Sequence, residues 1–373
     1  MKKAIILIIC IYISAYAYSQ NDFDKNTEKL TNYFQKLLNN KPEKPVANIL
    51  CYLENKKSGY TFYEGFGTID IVNNQDVVKD QPFKIASITK MFTAVVILQM
   101  YEEGLIDLDK PVYQYLENND FIDFETLHIL GGKSYGKLIT ARQLLLHRSG
   151  LADMFEDVRE QFDEHILNNK EKKWSPQLLF EKYYDLKVNK LAKFKPNASY
   201  AYSDVGYFLL GLCIEQISQK SLAENYKNRI LSLLSLNDTY FEYYEQSTND
   251  LELAHAYVKD LDATKELNTS FDWAGGGLVS NTMDLKNFIQ GLFMNKLFKK
   301  EETLKSMTND KMYGFGISVF NFDKKIYYGH LGFWGSGVFY CPEDDITLCI
   351  SINQTEPHFD AFKMIKKIIR IIE

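Results

Sequence analysis

Strand-like segments sit at both ends of this chain and helical periodicity fills its middle, and that distribution restricts the fold more than any other feature. Val46 to Leu53 and Tyr60 to Phe66 read as the two arms of a β-hairpin across Glu54 to Gly59. Strand patterns return only near the other end, at Gly314–Phe320, Lys325–Leu331, Gly337–Cys341 and Ile346–Asn353. Residues from about 88 to 300 are mostly helical in pattern, with Thr140 as an N-cap for Ala141–His147 and further amphipathic stretches at Tyr207–Ile217 and Leu222–Leu234. The expectation is an α/β chain of the α+β kind. One antiparallel sheet is built from both chain ends and flanked by helices, with a helical lobe inserted between its halves. The sheet lobe takes about 28–86 and 300–373, and the helical lobe about 88–300.

The chain's 373 residues, 46% of them hydrophobic, suffice for a large core. Asn21 to Asn40 reads as a polar helix, and Ala361 to Ile372 as an amphipathic one. The latter's stripe of Phe362, Ile365, Ile368, Ile369 and Ile372 suits core packing, and its lysines and Arg370 suit a solvated face. Residues 1–20 have the make-up of an export signal: Lys2 and Lys3, an apolar stretch from Ala4 to Ala17, then small and polar residues. That stretch is shorter than the about 20 residues a membrane span needs. The expectation is a mature chain, 21–373, that is periplasmic or extracellular and without a stable membrane span.

Acidic residues outnumber basic ones, 49 to 43, and no basic block with interleaved aromatics appears, which argues against nucleic acid as a partner. Cys51, Cys213, Cys341 and Cys349 are too widely spaced for a CxxC pair or a zinc pattern and read as buried free thiols. A turn centred between Glu343 and Asp344 would pair Cys341 with Ile346. The histidines show no metal-binding spacing, so neither a metal nor an organic cofactor is expected. Gly132-Lys-Ser134 mimics the end of a P-loop, but Leu127 stands where its first glycine belongs.

Ile85-Ala-Ser-Ile-Thr-Lys90 opens the apolar run Met91–Tyr101, which puts Ser87 at a helix N-terminus and Lys90 one turn later on the same face. A helix end favours developing negative charge by roughly 0.3–2 kcal/mol. Lys90 can take the hydroxyl proton, and the Ser87 amide can face an oxyanion. A second Ser-x-x-Lys, Ser134 to Lys137, lies in a Gly-rich loop with no helix end to aim its hydroxyl.

Further segments follow in order: Leu144-Leu-Leu-His-Arg-Ser-Gly-Leu151, Tyr202-Ser-Asp204, Trp273-Ala-Gly-Gly-Gly277 and Gly329-His-Leu-Gly-Phe-Trp334. Together with Ser87-x-x-Lys90 the set resembles the serine β-lactamase and penicillin-binding-protein-like superfamily, on its class C β-lactamase and D-alanyl-D-alanine carboxypeptidase branch. The resemblance covers roughly residues 28 to 370. It implies a β-lactamase/transpeptidase-like fold in which Ser87 attacks a carbonyl to form an acyl-enzyme. Lys90 and Tyr202 would share the general-base work, with Tyr202 protonating the leaving group. The Ser87 and Phe333 amides would form the oxyanion hole. His330 to Gly332 would lie along substrate on an edge strand, and Asp204 and Trp334 would also contact it. Taken singly, Tyr202 and His330 read as core residues, His147 as a C-terminal helix cation, and Gly275–Gly277 as positions needing positive φ.

Two positions depart from the family pattern. Asp204 stands where asparagine is usual; an ionised carboxylate only accepts hydrogen bonds, and beside Lys90 it favours the ammonium. It is either protonated, turned away, or matched to a substrate bearing a donor such as an amine. His330 replaces the commoner lysine and, when neutral, anchors a substrate carboxylate less well. The expected substrate is a small molecule, peptide or ester, cell-wall-derived compounds included. β-Lactamase, D,D-peptidase or D-aminopeptidase, and esterase activities stay open, and the alternative is a catalytically silent binder of cell-wall fragments or β-lactams.

Overall fold

The computed structural model describes residues 22–247 and 249–372; the proposed export signal lies outside them. At the centre is a six-stranded antiparallel sheet: β1 (Asn48–Asn55), β2 (Tyr60–Gly67), β3 (Ser318–Phe322), β4 (Lys325–Gly332), β5 (Ser336–Cys341) and β6 (Ile346–Ser351). Its order is β3-β4-β5-β6-β1-β2, so the two ends of the chain meet where β1 pairs with β6. The register of β5 on β6 sets Cys341 opposite Ile346, and all four described cysteines are buried free thiols.

Both faces of the sheet are covered, which explains why β1 and β6 are buried almost throughout. Ile49, Cys51 and Leu53 face a core shared with helix α1 (22–37) and the C-terminal helix, while Leu50 and Tyr52 face the larger core shared with the helical elements. In the C-terminal helix, Ala361–Ile372, the buried stripe is Met364, Ile365, Ile368, Ile369 and Ile372. Phe362 falls outside it and is half-exposed, because the true stripe runs through Met364. Each of those isoleucines contributes roughly 1.5–3 kcal/mol of burial.

The helix behind the site, α2 (Thr89–Glu102), is buried from Thr89 through Met100, so it is a core helix and not a half-exposed one. Against it packs α3 (Asp204–Ser218), buried continuously from Val205 to Ile214. Thr140 closes a capping box with Gln143 on Ala141–Leu145. A second sheet joins the short strands Phe83–Lys84, Leu278–Ser280 and Tyr240–Phe241 and delivers the chain to Ala86. Strands of two or three residues carry no periodicity, so nothing in the sequence announced them. No helix among the described residues is long and apolar enough to cross a membrane.

Candidate active site

Ser87 lies in a single 3₁₀ turn, Ala86–Ile88, immediately before α2, and not within the helix's own first turn. Ala86 has φ +45°, an αL conformation costly for a residue with a Cβ. Such strain is held only where the surroundings overdetermine it. Here Leu278 O accepts from the Ile85 amide and Ile85 O accepts from the Ser336 hydroxyl, clamping the chain just ahead of Ser87.

One turn along, Lys90 is fully buried and its Nζ has three partners: Ser87 Oγ at 3.0 Å, Gly275 O at 2.9 Å, and Asp204 Oδ1. Three donors in three directions use an ammonium completely. Asp204 is therefore turned towards the lysine and not away from it. The same Nζ lies 4.9 Å from the centre of the Tyr202 ring. Burial and the Asp204 carboxylate hold the Tyr202 phenol well above its usual range, although a hydrogen bond with Ser87 pulls the other way. Tyr202 is a protonated phenol beside the serine.

Asp153, invisible as a site residue in the sequence, fixes this arrangement. Its Oδ2 accepts from the Ser203 hydroxyl (3.2 Å), the Val205 amide (3.2 Å) and the Asp204 amide, and its Oδ1 from the Phe155 amide (2.8 Å). It caps α3 from outside that helix, so its signal lay in three-dimensional proximity alone. Burial and Asp204 both push its carboxyl upward. His147, expected as a cation, is neutral: burial and then Lys90 hold it well below its normal range. Its Nδ1 accepts from the Ser203 amide at 3.1 Å, and its ring lies 4.2 Å from that of Tyr202.

The strand β4 is not an edge strand along its length. β3 pairs with it from Lys325 to Gly329 and then stops, so His330–Gly332 have a free edge on that side only because the neighbour is short. His330 does not line the cleft. Its Nδ1 donates to Leu331 O (2.7 Å), leaving Nε2 to accept from the Tyr313 hydroxyl (3.0 Å). Burial, then Lys90, push its pKa down to about 3. Gly332 also sits behind the lining: a Cβ there would lie 2.3 Å from Ile85 O, so glycine lets the strand abut the nucleophile turn. Gly275 to Gly277 likewise serve close approach and not positive φ, since a Cβ on Gly275 would lie 2.6 Å from Asp204 Oδ1.

Ser87, Tyr202, Asp204, Phe333 and Trp334 do meet, in a cleft of about 210 Å³. Phe155, Ile166, Leu261 and Phe271 give it apolar walls, and Asp272 adds a carboxylate that the sequence reading overlooked. The second Ser-x-x-Lys is elsewhere, on an exposed two-stranded turn with Lys137 paired to Glu125.

A sheet of this order with a buried Ser–Lys pair at its junction with the helices is the fold of the serine β-lactamases and transpeptidases. The Beta-lactamase family model matches residues 55–371, and the chain belongs to that family. It is 24% identical over 286 residues to penicillin-binding protein 4* of Bacillus subtilis, covering 71% of this chain and 58% of that protein. It is 25% identical over 279 residues to the human mitochondrial serine beta-lactamase-like protein LACTB, covering 60% of this chain and 49% of that one. The chain thus spans about half the length of the curated relatives it matches. Among solved structures, a D-stereospecific amidohydrolase from Streptomyces superposes with TM-score 0.72 at 25% identity, over 89% of this chain and 96% of that one. The D-amino acid amidase of Ochrobactrum anthropi SV3 superposes with TM-score 0.74 at 19% identity, over 95% and 98%.

Proposed function

We propose that this chain is an exported serine hydrolase that forms an acyl-enzyme on an amide or ester, with Ser87 as the nucleophile. The observation that carries this reading is the placement of Lys90 Nζ, 3.0 Å from Ser87 Oγ and anchored on its far side by Gly275 O and Asp204. A neutral amine fits the same tetrahedron, with two N–H bonds to those anchors and the lone pair facing the serine hydroxyl. Ser87 Oγ then bonds to the carbonyl carbon as its proton passes to Lys90. The Ser87 and Phe333 amides, both at the cleft, receive the oxyanion, at about 3–4 kcal/mol per donor.

Collapse of the tetrahedral species breaks the bond to the leaving amine or alkoxide, which takes a proton from Tyr202 as the Lys90 ammonium passes the serine proton on to the phenol, so both groups return to their starting states. The raised pKa keeps Tyr202 a protonated phenol, so the base work falls to Lys90 and not to a tyrosinate. Water then attacks the ester on Ser87, releasing the acid and restoring the hydroxyl. His330, neutral and with both ring nitrogens engaged, supports β4 and leaves no cation in the lysine's usual place to hold a substrate carboxylate. That favours esters and amides lacking an obligatory carboxylate, and the amidase names among the structural neighbours agree in kind.

Intact-mass analysis of the mature protein after exposure to a penicillin, a D-alanyl ester and a fluorophosphonate tests the reading, with Ser87→Ala beside it. A Ser87-dependent adduct is expected from at least one reagent. Folded protein that gains no adduct from any of them sinks the enzyme reading in favour of a silent binder. The export component is checked by the N-terminal mass of protein recovered outside the cytoplasm; an intact Met1 there refutes signal cleavage.

A further inference from the structure

The segment Leu144–Leu151 stands out in the sequence, yet no step of the acyl-transfer chemistry above uses it. Within it His147 is 1% exposed and holds φ +54°, an αL conformation costly for a residue with a Cβ. Its carbonyl oxygen accepts from the Ala201 amide at 2.9 Å, and its Nδ1 accepts from the Ser203 amide at 3.1 Å. These two bonds fall on either side of Tyr202 in the chain. Between them the imidazole packs on the phenol ring itself, with ring centres 4.2 Å apart and planes at 35°. One residue thus holds the backbone before Tyr202, the backbone after it, and the ring.

Tyr202 has need of such a hold. Residues 200–203 form neither helix nor strand, so no ladder of backbone bonds fixes them, and α3 begins only at Asp204. Asp153 secures the downstream side, from the Ser203 hydroxyl to the Val205 amide. The imidazole is itself fixed from behind by the Tyr313 ring, 4.6 Å away, whose hydroxyl is bonded to His330. Because Nδ1 is an acceptor and the ring is neutral, its proton sits on Nε2, which is buried and has no hydrogen-bond partner among the described residues. The fold therefore bears two local costs at His147, a left-handed backbone and an unpaired donor. Asparagine tolerates αL and could accept from Ser203, but it has no ring to set against the phenol. Costs of this kind persist where they place a functional group.

We propose that His147 is the positioning residue of Tyr202, holding the phenol where it protonates the departing group, so that basic leaving groups can be expelled. This rests on the acyl-enzyme reading above and adds a residue to it. In the step concerned, the bond between the carbonyl carbon and the leaving atom breaks, and its electron pair stays on the leaving atom. The Tyr202 proton bonds to that atom, and the Lys90 ammonium refills the phenol. The help of an acid matters in proportion to the basicity of the leaving atom. p-Nitrophenolate departs as the anion, whereas ethoxide must be protonated as it goes. A phenol displaced by about 1 Å therefore slows an ethyl ester far more than a nitrophenyl ester. Damage to the fold alone slows both equally.

The experiment measures kcat/KM, which reports acylation, for p-nitrophenyl, phenyl and ethyl acetate on the wild type, His147→Gln and His147→Asn. All three esters give the same acetyl-enzyme, so only the leaving group differs. In His147→Gln the side-chain amide falls at the Nε2 end and misses the Ser203 amide. The ratio of ethyl to nitrophenyl ester is then expected to fall by about 10- to 100-fold. His147→Asn, whose amide oxygen takes the place of Nδ1, is expected to recover most of that ratio. Equal loss across the three esters, or no recovery with asparagine, makes His147 a purely structural residue and overturns the proposal. So does a wild type that takes a fluorophosphonate yet turns over none of the esters. Should His147→Gln fail to fold, imidazole nitrogen shifts of the wild type decide: a neutral ring protonated on Nε2 is expected at about pH 6, and a proton on Nδ1 refutes the hold on Ser203. Fluorophosphonate labelling of Ser87 is read in parallel. Label without a leaving-group effect defeats only the role of His147, whereas no label defeats the acyl-enzyme reading beneath it.

Discussion

Adding one methyl group at Gly332 should uncouple the sheet from the nucleophile. The Cβ of Gly332→Ala would lie 2.0 Å from Ser336 Oγ and 2.3 Å from Ile85 O. Carbon and oxygen approach no nearer than about 3.3 Å even in attractive C–H···O contacts, so strand and turn must separate by about 1 Å. The Ser336 hydroxyl can rotate aside, but it donates to that same Ile85 O at 3.0 Å, and rotation gives up the bond. Ile85 O itself is backbone, two residues ahead of Ser87, and moves only if the strained Ala86 turn moves with it. Displacements of this size can cost about 100-fold in rate, and overpacking costs roughly 1–3 kcal/mol in stability. The assay is the rate constant for fluorophosphonate acylation of Ser87, beside urea unfolding of the same preparations. Pairing Gly332→Ala with Ser336→Ala removes the nearer clash and leaves the one on Ile85 O, so the double variant should remain slow. A Gly332→Ala protein that acylates at the wild-type rate refutes the coupling.

Lys90→Met should lower acylation by about 100- to 10,000-fold, the usual worth of general-base catalysis, while Ser87 stays in place; rapid labelling of that variant would remove Lys90 from the mechanism. Asp153→Ala strands the Asp204, Val205 and Phe155 amides, and a loss of roughly 3 kcal/mol in urea unfolding is expected, with a loss below 1 kcal/mol arguing against its capping role. His330 has its folded midpoint pushed from the ordinary 6.5 down to about 3, so its contribution to stability is complete above pH 6.5 and is lost as pH falls towards 3. Imidazole nitrogen shifts at pH 5 should report a neutral ring protonated on Nδ1, and an imidazolium there contradicts the burial argument. Asp272 behaves oppositely: its carboxyl is raised from 3.8 to about 7 by burial and then by Asp204, so the native state holds a proton the unfolded chain has released. Stability from this group is highest below pH 4 and lost as pH rises to 7, and Asp272→Asn should flatten that part of the urea-derived profile; an unchanged slope would show that Asp272 does not titrate there.

Much of the architecture was legible because it rests on local signals. The strands of the six-stranded sheet, the Thr140 capping box, the start of the core helix after Ser87 and the opposition of Cys341 to Ile346 all follow from side-chain period, caps and turn position. Ser87, Lys90, Tyr202, Asp204, Phe333 and Trp334 could be named in advance because short motifs in fixed order carry them. The misreadings arose where a neighbour decides. His147 reads as a helix-end cation until Lys90 and the tyrosine rings surround it. Phe362 reads as core until the helix docks on Met364. Gly275 to Gly277 read as positions needing positive φ until Asp204 and Phe241 are seen against them.

The sequence by itself determined the period, order and capping of the elements, and the spacing that sets Lys90 one helical turn from Ser87, because these depend on residues within a few positions of one another. The tertiary structure decided which charges are matched. Asp153 bonds across 51 residues to the Asp204 amide, Lys90 reaches Gly275 O across 185, and Trp334 meets Asp272 across 62. Protonation and substrate charge follow from burial and from the nearest opposite charge in space, and the order of residues along a chain encodes neither.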